Sequence, residues 1–445
     1  MNFLCVKNSK QGIKMKNYSE LTITEAKELY SELSKTYEGY KAAGIKLDIS
    51  RGKPNADQLD IADGMLALSL DREKCISTSG IDYRNYGIVD GIPEAKKLFA
   101  DLLGLDVNSV LVGGNSSLQL MYDSIARAMI FGNCDSERPW CKEEGLKWIC
   151  VAPGYDRHFK ITEDFGFELL TVKMTPTGPD MDEVERLVLD PKVKGIWCVP
   201  KYSNPTGNTY SDETVRRLAS MKTGAKDFRI MWDNAYAIHA FADKDDDLLD
   251  IFEETKKCGN ENRVLLFAST SKVTLPGSGV AIVAGSQANI DDIRRRMGVQ
   301  TIGYDKINQL RHVEYFKNAE NVKAHMKKLG AAIKVKFDIT LEAFEELNGL
   351  GIAEWTKPYG GYFISLDITV GSASRVYELM KNAGVTLTQV GATYPYGKDP
   401  EDKNLRIAPT YPTDSDLKLA CEILTLTVKM SALEKIISEK GVSIL

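Results

Sequence analysis

VLLFASTSKVTLPGSGVAIVAG, residues 264–285, joins two apolar runs through a polar segment that carries one lysine and is broken by glycines. Neither run alternates polar with apolar residues, which is how strands buried on both faces read. The signature recurs upstream in WICVA (148–152), ELLTVKM (168–174), GIWCVP (195–200) and RIMWD (229–233), and more briefly in LV before Gly113. Amphipathic stretches separate these runs. Residues 93–103 are expected as helix, and so are 116–130, where Leu118, Met121, Ile125 and Met129 share a face. Strands alternating with helices from about residue 90 to 285 predict one α/β domain, its mostly parallel sheet covered by helices.

Both flanks read differently. Upstream, Thr22 and Glu25 form a capping-box pattern. Ala26, Leu29, Tyr30, Leu33, Tyr37 and Tyr40 then recur at helical spacing as far as Gly44, and IKLDIS runs into the turn RGKPN at 51–55. Downstream, a helical stretch is expected over 304–347 and a strand in YGGYFISLDI (359–368). A helix over 374–383, a strand near 385–390, LRIAP (405–409) and a last helix over 413–440 follow. The division expected is a disordered extension over 1–14, a segment 15–60 packing with a small α+β domain at 311–445, and a large domain at 61–310.

Composition narrows the function. Among 445 residues, 57 basic and 62 acidic side chains leave a formal charge of −5. That acidic excess argues against a nucleic-acid binder. No apolar run approaches the roughly 20 residues that span a bilayer, and the N-terminus lacks the apolar core of a signal peptide. Eight cysteines include no CxxC pair, and four histidines include no HxxxH pair. A cytoplasmic protein with no metal site and no membrane association is expected.

In open α/β sheets ligands bind beyond the carboxyl ends of the strands, and polar groups cluster there. Gly113-Gly114-Asn115-Ser116-Ser117 opens a helix, a cradle for phosphate. Tyr155 follows WICVA and offers a ring for stacking. Asn204 sits in the turn SNPTG. Asp233, with Tyr236 after it, ends RIMWD, where a buried acid needs a cationic partner. Ser269 and Lys272 end VLLFAS, where burial lowers an amine's pKa and makes it nucleophilic. Arg406 lies between apolar neighbours in NLRIAP and suits a carboxylate. Each also has a plain reading: a helix cap for the cradle and for Asp233, a core or rim tyrosine for Tyr155, a simple turn for Asn204, a surface lysine for Lys272 and a structural ion pair for Arg406. Together they are what pyridoxal phosphate requires: an amine for its aldehyde, an acid for its ring nitrogen, donors for its phenolic oxygen, an aromatic plate and a phosphate cradle.

SNPTG, DNAY and STSK in this order, followed by LRIAP, resemble the class I/II pyridoxal-phosphate aminotransferases of fold type I. LDISRGKPNADQLD, YRNYGIVDGIPEAK, INQLRHV and PYGGYFISLDI are similar to the subgroup Ic aspartate aminotransferases. The resemblance implies a seven-stranded, mostly parallel sheet in the large domain and a homodimer with shared active sites. It makes Lys272 the Schiff-base lysine, Asp233 the partner of the ring nitrogen, and Tyr236 and Asn204 the partners of the phenolic oxygen, with Tyr155 stacked on the ring. Asn115, Ser116, Ser117 and Ser269 fall at the phosphate, and Tyr86 matches a tyrosine reaching the neighbouring subunit's phosphate. Arg406, Gly52 and Asn204 fall at the substrate. Where many members carry a phosphate-clamping arginine, this chain has Val280, with Ser278 nearby. No motif places a cation for a substrate side-chain carboxylate; Arg51, Lys53 and Arg84 are candidates.

The activity expected is transfer of an amino group from aspartate to 2-oxoglutarate by a ping-pong cycle. Alanine, aromatic or kynurenine aminotransferases and β-lyases share the same residues and stay open. Ser269-x-x-Lys272 also matches the SxxK of serine hydrolases, but in the wrong order along the chain. A ligand-sensing regulator would need a DNA-binding segment before RGKPN, and that stretch is too short and insufficiently basic.

Overall fold

A computed structural model describes residues 16–241 and 244–441; the expected extension 1–14 lies outside them. Its strands are β1 Leu47–Asp48, β2 Val110–Val112, β3 Lys147–Ala152, β4 Glu168–Thr175, β5 Gly178–Pro179, β6 Val193–Cys198, β7 Arg229–Asp233, β8 Val264–Ser269, β9 Ala281–Gly285, β10 Ala353–Trp355, β11 Ile364–Ile368, β12 Val385–Thr386 and β13 Asn404–Ile407. The large sheet runs β2-β9-β8-β7-β6-β3-β4-β5. β4, β3, β6, β7 and β8 are mutually parallel, while β9 and β2 join antiparallel. Seven strands correspond to the apolar runs of the sequence. The two-residue β5, hairpinned onto β4, adds an eighth.

The missing alternation has a direct cause. Ile149, Val151, Ile196, Ile230, Trp232 and Leu266 face one apolar cluster. Their neighbours Trp148, Cys150, Trp197, Met231, Leu265 and Phe267 face another. Helices cover both faces, so successive residues are buried alike. Because β3, β6, β7 and β8 are parallel, the chain leaves the sheet after Ala152, Cys198, Asp233 and Ser269 along one edge.

The second unit centres on the antiparallel sheet β10-β11-β13, with Ser365 opposite Arg406. The N-terminal helix Ile23–Ala42 carries the capping box between Thr22 and Glu25, and it packs along the last helix, Asp414–Glu439. Tyr30 Oη donates to Glu434 at 2.8 Å, and β1 pairs in parallel with β12. Position 310 falls inside the helix Lys306–Phe316.

Three elements differ from expectation: near 385–390 only Val385–Thr386 is strand, and two others change more. The stretch 304–347 is two helices, Lys306–Phe316 and Ala319–Phe344. Lys317 turns out at a φ of 66°, and the Asn318 side chain caps the second helix by accepting from Asn321 N–H. In 359–368 only Ile364–Ile368 is strand. A Cβ at Gly360 would stand 2.4 Å from the Tyr202 ring, so this segment approaches its neighbour as a turn. No described helix is long and apolar enough to cross a membrane.

Candidate active site

A cleft of about 410 Å³ opens at the carboxyl ends of the parallel strands, bounded on its far side by β11 and β13. Tyr155, Asn204, Asp233, Tyr236, Lys272, Arg406 and Gly52 all line it. Those residues span more than three hundred positions of sequence.

Asp233, the last residue of β7, is buried. Its Oδ2 lies 3.0 Å from His158 Nε2, and its Oδ1 has no partner. His158 is held flat against Trp197, with centroids 4.6 Å apart, and edge-on to Tyr155. Asn204 is buried with an unpartnered Oδ1. Lys272 Nζ stands 5.0 Å from the centre of the Tyr236 ring. Burial lowers the Lys272 amine below its ordinary pKa, against the opposing pull of Asp233. Burial, helped by Asp156 and Asp233, raises the Tyr155 phenol to about 12. Burial also holds the Tyr236 phenol well above its usual value, so both phenols are protonated donors at neutral pH.

The chain around Lys272 is held from behind by histidines. His239 Nε2 lies 3.3 Å from the Lys272 carbonyl oxygen, and His325 Nε2 lies 2.7 Å from that of Val273. His312 Nε2 is 3.1 Å from both Thr270 Oγ1 and Thr274 Oγ1. With His158 at Asp233, all four histidines contact Asp233 or the segment 270–274.

The expected phosphate cradle lies beside the cleft wall. Ser116 caps the helix Ser117–Phe131, accepting from Leu118 N–H. Ser269 and Ser271 are joined at 3.1 Å, and Ser271 Oγ donates to the Asn115 carbonyl at 3.3 Å. Ser278 ends a short helical turn, and its carbonyl accepts from Asn308. Val280 is buried in the core, and its apolar side chain supplies no charge to the cradle. Asn115, Ser116, Ser117, Ser269, Ser278 and Tyr86 do not line the cleft itself. Tyr86 is 81% exposed.

Of the cations considered for a second carboxylate, Arg84 is paired with Asp82 and Lys53 stands over the Tyr411 ring. Neither lines the cleft, but Arg51 does. Sequence reasoning missed His158, Asp156, Arg157 and Ser271. His158 had a signal, since it follows Tyr155 by three residues, about one helical turn. Asp156 pairs with Arg406, and Arg157 lines the cleft.

The family model for aspartate amino-transferase matches residues 21–440. The chain belongs to that family. This aminotransferase is 47% identical to the aspartate aminotransferase of Corynebacterium glutamicum over 406 residues, 91% of this chain and 94% of that one. It is 46% identical to an aminotransferase of Mycolicibacterium smegmatis described as putative, covering 91% and 96% of the two chains. The crystal structure of an aspartate transaminase from C. glutamicum superposes with a TM-score of 0.91 at 46% identity, covering 94% of this chain and 99% of that one. The fold is type I, and pyridoxal phosphate is the cofactor of these aminotransferases.

The residues present fit that cofactor. Asp233 Oδ1 and Asn204 Oδ1 are buried cleft atoms without a protein partner, on separate elements. A buried polar atom left so is costly unless a ligand meets it. A ring bearing one N–H and one hydroxyl supplies what the acid and the amide lack.

Proposed function

We propose that this aminotransferase takes its amino group from aspartate and gives it to 2-oxoglutarate, using one cleft for both half-reactions. The observation that carries the reading is the charge of the cleft. Arg51, Arg157 and Arg406 line it, and among the described residues only Arg406 has an ion-pair partner. A substrate with two carboxylates needs two cations, and the relative named aspartate aminotransferase supports the same choice.

Bound pyridoxal phosphate supplies an electron sink for charge developing at the substrate Cα. Asp233 keeps the proton on the ring nitrogen, and His158 orients the acid. Tyr236 and Asn204 hydrogen-bond the phenolic oxygen, while Tyr155 covers one ring face. Ser116, Ser117, Asn115, Ser269 and Ser278 are the phosphate partners, with Ser271 added. Lys272, its neutral amine buried in the cleft, would take the cofactor's aldehyde carbon with loss of water, and when free the same amine would be the base for the proton on the substrate Cα. Arg406 receives the α-carboxylate on the Gly52 side of the cleft. Tyr86 serves the cleft of a second subunit, so the working unit is a homodimer. Its place is the cytoplasm, in keeping with the described cysteines, all free.

A donor screen with 2-oxoglutarate tests the reading. Aspartate should exceed alanine in kcat/KM by about 100-fold, since a site built for a second polar group strongly rejects substrates lacking it. Equal values for alanine, aromatic amino acids or kynurenine would refute aspartate as the donor. Lys272→Ala should abolish turnover while the folded protein still binds the cofactor, visible as absorbance above 300 nm retained on gel filtration.

A further inference from the structure

Arg406 belongs to β13 and Asp156 to the first turn of the helix Asp156–Asp164, on opposite walls of the cleft. Arg406 Nη1 donates to Asp156 Oδ1 at 2.9 Å. The arginine side chain is 10% exposed and the aspartate 33%. The guanidinium lies 5.0 Å from the centre of the Phe363 ring. Phe363 is itself seated on Gly52, where a Cβ would come within 2.2 Å of Cζ. Arg406 Nε is buried and has no partner.

A guanidinium offers a carboxylate two hydrogen bonds along an edge. Asp156 engages the group through Nη1 alone, and the Phe363 ring lies beside it. The edge formed by Nε and Nη2 carries no other hydrogen bond among the described residues. We propose that Asp156 is a positioning residue for substrate binding: it holds Arg406 across the cleft by one nitrogen and turns the Nε/Nη2 edge toward the incoming α-carboxylate. The inference rests on the reading of Arg406 as the α-carboxylate receptor. Its physical content is preorganisation. A long, rotamer-rich side chain is ordered when the protein folds, so substrate binding does not bear that entropy.

The competing role is local. An acid in the first turn of a helix complements the helix dipole whatever it faces. Three variants of the holoenzyme separate the two roles. Asp156→Asn keeps an oxygen able to accept from Arg406 but removes the charge. Asp156→Ala removes both. Asp156→Ser also loses the reach to Arg406 while keeping a side chain suited to a helix start. The alanine and serine variants should raise KM for aspartate and for 2-oxoglutarate about tenfold, with kcat within about twofold, the scale of one hydrogen bond to a charged group. Inhibition by succinate, which has carboxylates but no reacting group, should weaken in parallel. The asparagine variant should stay within about threefold of wild type in every constant. Unchanged or lowered KM in the alanine and serine variants overturns the proposal, because Asp156 would then be idle or a competitor of the substrate. An asparagine variant as impaired as alanine also overturns it, because charge alone would be the cause. Arg406→Ala is the control. If it leaves succinate inhibition intact, the reading of Arg406 itself fails. If it abolishes inhibition while the Asp156 variants are silent, only the present inference fails.

Discussion

Arg157 follows Asp156 on the same helical turn, lines the cleft and has no ion-pair partner among the described residues. Asp156 is engaged with Arg406, so Arg157, like Arg51, is left open to a ligand, and we test it as the cation for the substrate side-chain carboxylate. Arg157→Gln should lower kcat/KM for aspartate by about 10- to 100-fold and that for alanine by less than about threefold. Because Arg157 is exposed, the loss should shrink as salt is raised. Equal losses for both donors would count against the assignment. Individual residues were legible where their type and strand-end position sufficed: Lys272, Asp233, Asn204, Tyr236, Tyr155 and Arg406 all come to the cleft. Asp156 and Arg157 were not, because their meaning depends on what stands across the cleft, and a pair 250 residues apart leaves no linear trace.

At the scale of elements, the segment 270–274 is held by three histidines. His239 donates its Nε2 proton to the Lys272 carbonyl, which leaves Nδ1 buried and unpartnered. Burial, with Lys272 close by, depresses its pKa to about 3. His312 and His325 are lowered too, chiefly by burial. A base whose folded pKa is depressed stays neutral while the unfolded chain takes up protons. For His239 stability therefore falls as pH drops from about 6.5 toward about 3, by at most about 1.4 kcal/mol per pH unit. His239→Gln keeps a donor near Nε2 and removes the titration. Between pH 6.5 and 4.5 the wild type should lose about 2 kcal/mol more unfolding free energy than this variant, as read by denaturant titration. Parallel losses would rule His239 out as a source of acid sensitivity. Element boundaries were least legible where tertiary contact overrode local pattern. Lys317 interrupts a continuous helical periodicity, and Gly360 leaves an apolar strand signature for a close approach to Tyr202. The large sheet was easily read because burial on both faces imprints every strand alike.

For the whole molecule, the proposed homodimer turns on Tyr86, which is 81% exposed. Tyr86→Ala and Lys272→Ala should each be inactive alone. Denatured together and refolded, they should regain activity, because a mixed dimer rebuilds one site with an intact lysine from one subunit and an intact tyrosine from the other. Mixtures as dead as the parents would exclude shared sites. Domain pairing was only partly legible, since helical spacing in 22–44 marks a buried face without naming its partner.

That partner is far away in time as well as in sequence. Tyr30 meets Glu434 404 residues later. At roughly 5–20 residues per second of synthesis, the N-terminal helix waits roughly 20–80 s for the surface it covers. During that interval its apolar stripe is open to chaperones and to other nascent chains. Lys272 and Asp233 have left the ribosome well before Arg406 is made, so on the proposed roles a growing chain would gain its cofactor-binding groups before its substrate-binding one.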